Sequence, residues 1–203
     1  LEILEESVGE LAGDIDADRV DELTHLTEAL SREVERLTEV TEYYLRFAKF
    51  PQPQREPMDL SPMIADLLSF FREEARAAGA EVSWDVPEAL PIRADNNLLR
   101  QALMNLVKNA LEVLAQRPPE GGGRLHIKAW EEEGRARVRV RDNGTGIPAE
   151  DRARIFEPFF TTKEAGTGLG LTLVQQIIRE HGGEVTVSSD PGEGTTFHVT
   201  LPL

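Results

Sequence analysis

The chain has 203 residues, with 37 acidic against 22 basic side chains, a net charge of −15 and no cysteine. Hydrophobic residues at 40% support a packed core, and the lack of cysteine removes disulfides, thiolate catalysis and Cys-based zinc sites. No apolar run reaches the roughly 18 residues of a membrane span, no signal-peptide pattern opens the chain, and the acidic balance argues against nucleic-acid binding.

The acid excess is concentrated in residues 1–48, where fourteen Asp and Glu stand against four Arg. This section reads as a helical hairpin. Val20, Leu23, Thr27, Leu30, Val34, Leu37, Thr41, Tyr44 and Ala48 alternate steps of three and four, a heptad seam. Leu26, Val40, Tyr43 and Phe47 widen it into a bundle-type face. Leu1, Leu4, Val8 and Leu11 repeat the spacing, and Gly13 with Asp14–Asp18 supplies a turn and a helix start. The second helix spans roughly 45 Å at 1.5 Å per residue, the first far less. The lower seam then lacks an intrachain partner, and the expectation is a first helix that extends upstream of Leu1.

Residues 49–57 (KFPQPQREP) read as a linker, because prolines at alternating spacing stop a helix and favour extended chain. An α/β pattern follows. Ser61 as N-cap with Pro62 at the first helical position predicts a helix to near Gly79. Val82–Val86 and Ile92–Ala94 read as strands. Asp95 caps a strongly apolar helix to about Gln116, and Pro118–Gly123 is loop. Leu125–Trp130 and Ala136–Arg141 alternate as paired strands around Gly134. A helix from Gly170 to Glu180 closes on His181-Gly182-Gly183, and Val185–Ser188 and Thr196–Leu201 form a hairpin turned by 190–194.

Three features carry chemistry. Asn105 and Asn109 lie one turn apart on the apolar helix, so both amides leave the same face. An amide oxygen is a hard neutral ligand suited to Mg²⁺ beside an anionic phosphate chain. Asp142-Asn-Gly144-Thr-Gly146 follows a strand; its glycines allow close backbone approach, and the carboxylate accepts from an exocyclic amine. Gly166-Thr167-Gly168-Leu169-Gly170 runs into a helix, where free N–H groups and the dipole favour phosphate. It is not a P-loop, since no Gly-Lys-Ser/Thr follows.

With Phe156-Glu-Pro-Phe159-Phe160-Thr-Thr-Lys163 and Gly192-Glu-Gly194-Thr195, these features resemble in order and spacing the N, G1, F, G2 and G3 boxes of sensor histidine kinases, in the gyrase/Hsp90/histidine-kinase/MutL superfamily. The Thr-Thr-Lys sequence and the Tyr-Leu-Arg-Phe-Ala-Lys helix end are similar to the nitrogen-sensor class. The resemblance implies an α+β fold: a two-layer α/β sandwich of the Bergerat type over 58–203, preceded over 1–48 by a partial hairpin of a dimeric four-helix bundle. It implies that Asp142 binds the adenine amino group with Thr195 nearby through water, and that Asn109 coordinates Mg²⁺ with Asn105 lining the site. Gly144, Gly146, Gly166, Thr167, Gly168, Leu169 and Gly170 would form the lid and its phosphate contacts. Lys163 is either a phosphate contact or a solvated lid residue, and the three phenylalanines are packing. The implied cofactors are ATP and Mg²⁺. The implied partners are a cognate response regulator and a second copy paired through the hairpin, with no nucleic acid. The implied setting is cytoplasmic, with membrane attachment of the parent protein left open.

The ATP-hydrolysing branches carry a glutamate where this chain has Asn105, and an amide cannot serve as that base, so the pattern favours phosphoryl transfer. No His-Glu-x-x-Asn-Pro acceptor motif is present. His25 lies off the seam on an exposed position, and His126, His181 and His198 read as structural. The acceptor is expected upstream of Leu1, so that these residues alone would not autophosphorylate. Two further readings stand beside this one: a serine kinase of the same fold and a non-catalytic nucleotide-sensing dimer.

Overall fold

The computed structural model describes residues 19, 23–34, 38, 52–116, 122–163 and 166–203. The chain divides into two compact units, Leu1–Phe50 and Pro51–Leu203.

In the first unit residues 23–34 are helical, as the seam predicts. Leu23, Leu26, Leu30 and Val34 are 39%, 53%, 59% and 48% exposed, so this stretch of the apolar stripe is open. The hydroxyl of Thr27 donates to the Leu23 and Thr24 carbonyls at 3.0 and 2.8 Å. That internal bond leaves its methyl as the group the seam presents. The rest of the predicted hairpin, including the seam positions Val20, Leu37, Thr41, Tyr44 and Ala48, the flanking Val40, Tyr43 and Phe47, and the whole first helix, lies outside the described residues.

The second unit is a two-layer α/β sandwich. A five-stranded sheet runs in the order β2-β4-β5-β7-β6, with β2 Ala80–Asp85, β4 Gly123–Glu132, β5 Arg135–Asp142, β6 Glu184–Asp190 and β7 Gly194–Pro202. β2 and β4 are parallel, and the other neighbours are antiparallel. Strand alternation puts Leu125, Ile127, Val138, Val140, Phe197 and Val199 on the buried face. The intervening Arg135, Arg137, Arg139 and Arg141 fall on the opposite face.

Helices α1 (Leu60–Phe70), α3 (Asn96–Ala115) and α5 (Gly170–Glu180) carry the second layer; α2 (Arg72–Ala77) and α4 (Ala149–Arg152) are short. The long α3 buries Leu99, Leu103, Leu106, Val107, Ala110 and Leu114 at helical spacing. Asp95 caps it, accepting from Asn97 N and Leu98 N at 3.1 Å. His181, at the end of α5, is buried: its Nε2 accepts from Asp95 N at 3.0 Å and its Nδ1–H faces the Ile177 carbonyl at 2.8 Å. The neutral Nδ1–H tautomer satisfies both bonds and joins the start of α3 to the end of α5, a structural role.

Three local expectations are corrected. The first helix is capped by Asp59 rather than Ser61: Asp59 Oδ1 accepts from Ser61 N at 3.0 Å and Leu90 N at 2.9 Å, while Ser61 Oγ is buried without a partner. That helix also ends at Phe71, which is fully buried at φ −82°, ψ 1°, and a separate turn of helix continues to Ala77. The predicted linker is narrower, because a strand β1 (Glu56–Asp59) pairs antiparallel with β3 (Pro91–Ala94). Just ahead of it, Gln54 N donates to Asp95 Oδ2 at 3.0 Å and the Arg55 guanidinium donates to the Glu180 carbonyl. The Pro118–Gly123 loop lies mostly outside the described residues, and Gly123 opens β4.

Asp59 is thus both helix cap and tie to the segment before β3. Asp59→Ala should cost roughly 2 kcal/mol, or a fall in Tm of about 4–8 °C, in thermal unfolding. A change within the error of the melt would mean that water replaces both bonds.

Candidate functional site

The buried sheet face is apolar along its length until its last cross-strand row. There β5, β7 and β6 present Asp142, Thr195 and Ser189, with Ser189 registered opposite Thr195 and Arg141 opposite Thr196. These three polar residues are 5%, 7% and 6% exposed.

Asp142 Oδ1 accepts from Gly144 N at 2.8 Å and Thr195 N at 3.2 Å. No other residue donates to its second oxygen among the described residues, and the Asp142 N–H itself is a lesser donor to the carboxylate. Burial pushes the carboxyl pKa up, and the backbone N–H groups of Gly144 and Thr195 oppose the shift. The site therefore offers one bound oxygen and one open oxygen of a carboxylate in a low-dielectric place, which suits recognition of a neutral N–H donor.

The Asp142–Gly146 loop is held from three sides. Asn143 is spent on β4, accepting from Arg124 N at 2.7 Å and donating to the Gly122 carbonyl at 3.0 Å. Thr145 O accepts from Gly192 N at 2.7 Å, and Ile147 N donates to Ser189 Oγ at 2.8 Å. Gly146 has φ +74°, and a Cβ there would overlap the Asp190 carbonyl. A Cβ on Gly144 would overlap Val113 of α3. Both glycines thus serve a close approach, but to protein: one to the β6–β7 turn, the other to α3.

Midway along α3, Asn105 and Asn109 are half-buried, and a Cβ on Gly170 would lie 3.9 Å from Asn105 Oδ1 and from Asn109 Nδ2. Gly170 is the first residue of α5, and no side chain caps that terminus. Two amides and a set of open N–H groups thus face one another, with the positive end of the α5 dipole between them.

Lys163 joins this end. Its Nζ makes an ion pair with Glu112 and lies 3.3 Å from Asn109 Oδ1. The Lys163 side chain is 30% exposed, and the amide oxygen of Asn109 already accepts from this cation. Thr161 Oγ1 accepts from Lys163 N at 3.1 Å, and Gly166 N donates to Lys163 O at 3.2 Å. A Cβ on Gly166 would strike Thr161, and one on Gly168 would strike the backbone of Phe159 and Phe160. The glycines before α5 therefore pack onto the Phe-Thr-Thr-Lys strip. Thr167 and Leu169 lie in this same connection, Leu169 being 7% exposed. Phe156 packs edge-on to Phe197 at 6.4 Å and the Arg154 guanidinium lies 4.5 Å over Phe160, as expected of packing residues.

Helix α3 is the element both groups share: Gly144, in the loop after Asp142, packs against Val113, while Asn105, Asn109, Lys163 and Gly170 come together earlier along the same helix. Sequence reasoning missed Ser189, Val113 and Glu112. Ser189 was accessible from the hairpin register, since a turn at 190–194 pairs it with Thr195. Glu112 stands three residues after Asn109 on the same helix face. Of the histidines, His25 is exposed on its helix beside Glu28, and His126 Nδ1 lies 3.0 Å from Ser83 Oγ.

Residues 94–203 match the family described as histidine kinase-, DNA gyrase B- and HSP90-like ATPase. Nitrogen regulation protein NtrY of Azorhizobium caulinodans is 37% identical over 180 residues, 86% of this chain and 23% of that protein. The chain therefore spans about a quarter of that relative's length. The catalytic domain of histidine kinase ThkA is 33% identical with a TM-score of 0.65, covering 73% of this chain and 95% of that one. ThkA in complex with the response regulator protein TrrA is 26% identical with a TM-score of 0.71, covering 98% and 56%.

The raised pKa of Asp142 sets up an opposition between stability and binding. A raised value in the fold means that protonation favours folding: the gain is full below the ordinary value near 3.8 and is lost as pH rises through the folded value. At neutral pH the buried charge is therefore a cost. Asp142→Asn keeps an acceptor for Gly144 and Thr195 but turns a donor outward. It should lower Tm at pH 7 by no more than about 2 °C while losing affinity for a 6-aminopurine nucleotide by about tenfold or more. A large fall in Tm with binding retained would reverse this assignment.

Proposed function

Because the chain belongs to the histidine kinase-, DNA gyrase B- and HSP90-like ATPase family, on its sensor histidine kinase side, we propose that it is the ATP-binding and dimerising part of a protein-histidine kinase in a two-component system. The observation that carries this reading is the cation already seated on Asn109 Oδ1, beside the uncapped start of α5.

That arrangement fits Mg²⁺ bound together with phosphates. Among the described residues no group of three or more His, Cys, Asp or Glu side chains is placed to hold a metal, so these residues build no metal cage of their own. One amide oxygen beside a helix N-terminus suits a Mg²⁺ that keeps most of its ligands as phosphate and water. When bound, the ion would neutralise charge on the transferred phosphoryl group.

From Asn105 through Asn109 to Val113 the helix rises about 12 Å, comparable to an extended nucleoside triphosphate. Asp142 and Thr195 take the adenine at the Val113 end. Asn109 would hold the metal at the other, with Asn105 beside it and the N–H groups of α5 available to the phosphates. Lys163 exchanges Asn109 for a phosphate oxygen, and Gly166, Thr167, Gly168 and Leu169 move with it as the lid. Asn105 cannot activate water, so the γ-phosphate is preserved for a protein acceptor.

The open stripe of Leu23, Leu26, Leu30 and Val34 supports pairing of two helical units into a bundle. The acceptor is a histidine outside these 203 residues, and a response regulator takes the phosphoryl group onward, as ThkA's partnership with TrrA suggests. Residues 1–48 then serve dimerisation and 58–203 the nucleotide. Among the described residues no helix is long and apolar enough to cross a membrane.

Two measurements test this. ATP affinity of the wild-type chain should rise with Mg²⁺, and Asn109→Ala should abolish that rise, a loss of about tenfold or more; an undiminished Mg²⁺ effect in Asn109→Ala would remove the metal assignment. The chain carried with its native upstream sequence, given γ-labelled ATP, should acquire an acid-labile, base-stable label. An acid-stable, base-labile label would identify a hydroxyl acceptor, and bound ATP without label would identify a nucleotide-sensing dimer.

A further inference from the structure

Ser189 belongs to no box and carries no role in the nucleotide site just described. Yet it is the most heavily bonded hydroxyl in the polar row. Its Oγ accepts from Ile147 N at 2.8 Å, lies 2.7 Å from the Gly194 carbonyl and lies 3.1 Å from Thr195 Oγ1. A hydroxyl has one proton and two lone pairs. The Gly194 carbonyl can only accept, so the Ser189 proton goes there, along the shortest of the three contacts. Ile147 N–H fills one lone pair of Ser189. The bond to Thr195 must then use the Thr195 proton, which fills the other. Ser189 is thereby saturated.

The consequence falls on Thr195. With its proton directed at Ser189, its Oγ1 has only lone pairs to offer. Its neighbour in the row, Asp142, has only an open carboxylate oxygen to offer. Both side chains stand on the same sheet face in adjacent strands, with Thr195 N bonded to Asp142 Oδ1. The end of the site that meets the base therefore presents acceptors and no donor from these side chains.

We propose that Ser189 determines base specificity: by taking the Thr195 proton it makes this wall acceptor-only, and so selects a purine with a 6-amino group over one with a 6-oxo group. A 6-amino group donates to such a wall directly or through water. A 6-oxo group would place a third acceptor against two others, and a site whose buried polar groups are left unpaired rejects the wrong partner strongly. The same serine fixes the backbone of the Asp142–Ile147 loop through Ile147 N, so wall polarity and loop position are set by one side chain. This inference rests on the assignment of Asp142 and Thr195 to the base.

The test compares ATP with ITP, which differ at position 6 and at the adjoining ring nitrogen. Affinities of both are measured in Mg²⁺ for the 203-residue chain and for Ser189→Ala and Thr195→Val. Ser189→Ala releases the Thr195 proton to meet a 6-oxo group, so the ATP-to-ITP preference should fall by about tenfold. Thr195→Val leaves the Ser189 bonds to Ile147 and Gly194 in place and removes the acceptor. It should also lower the preference, this time through weaker ATP binding, and it decides the question if Ser189→Ala does not fold. A ratio within about twofold of wild type in either folded variant overturns the proposal, because a serine that only braces the loop weakens both nucleotides in parallel. If Asp142→Asn binds ATP as wild type does, the base assignment itself fails and takes this inference with it. If Asp142→Asn loses ATP while the ratios stay fixed, only the role of Ser189 fails.

Discussion

The site depends on a carboxylate placed where the sheet would otherwise continue as hydrocarbon. On β5 the inward positions run Ala136, Val138, Val140 and then Asp142, and the last of these is as deeply set as a core residue. Burial of that charge raises its pKa, and besides the Asp142 N–H itself two backbone N–H groups offset the cost. One of them, Gly144 N, belongs to the loop that leaves β5; the other, Thr195 N, belongs to the start of β7. The carboxylate therefore sets the path of both segments. Remove the loop from its place and the charge loses a donor; remove the acceptor and Gly144 N and Thr195 N lose theirs.

That coupling explains why the neighbouring glycines face protein. Gly146 lies against the Asp190 carbonyl, Gly194 against the Asp142 carbonyl and Gly144 against Val113. Each lets backbone come to within contact of backbone or helix, so the loop after β5, the β6–β7 turn and α3 close around Asp142 without an intervening side chain. The sequence pattern of glycines is the same one that close ligand approach would require, which is why it is informative about a site and ambiguous about the atoms approached.

The legibility of the chain follows the range of the interactions involved. Helix α5 and its His181-Gly182-Gly183 end, the cap at Asp95 and the hairpin around Gly134 were all readable, because a few consecutive residues determine each. The Ser61 cap was misread because Asp59, two residues earlier, serves Ser61 N and also Leu90 N, and the second bond spans 31 positions. β1 was invisible for the same reason: Glu56–Asp59 has no strand pattern alone and exists through its pairing with Pro91–Ala94. The paired asparagines were legible through helical spacing. The engagement of Lys163 with Glu112 and Asn109 was not, since it joins positions more than 50 apart in sequence. Ser189 was one residue beyond the strand end assigned from pattern, and that single residue concealed the third member of the polar row.

The two ends of the site differ in kind. At the base end the Asp142 and Ser189 side chains are tied to backbone N–H and carbonyl groups, in a row where three strands meet. At the other end the partners of Asn109 come from Lys163, whose segment is attached through glycines packed on Thr161 and Phe159, and from the open start of α5. A cation carried on a long side chain is the easiest of all partners to exchange, because its stem turns without disturbing the backbone. The rigid end is therefore suited to discriminate and the exchangeable end to admit and release charge. Recognition and turnover are thus separated along the one helix that runs beneath both. The proposed division of labour, adenine at Asp142 and metal-bound phosphate at Asn109, assigns each task to the end whose mechanics permit it.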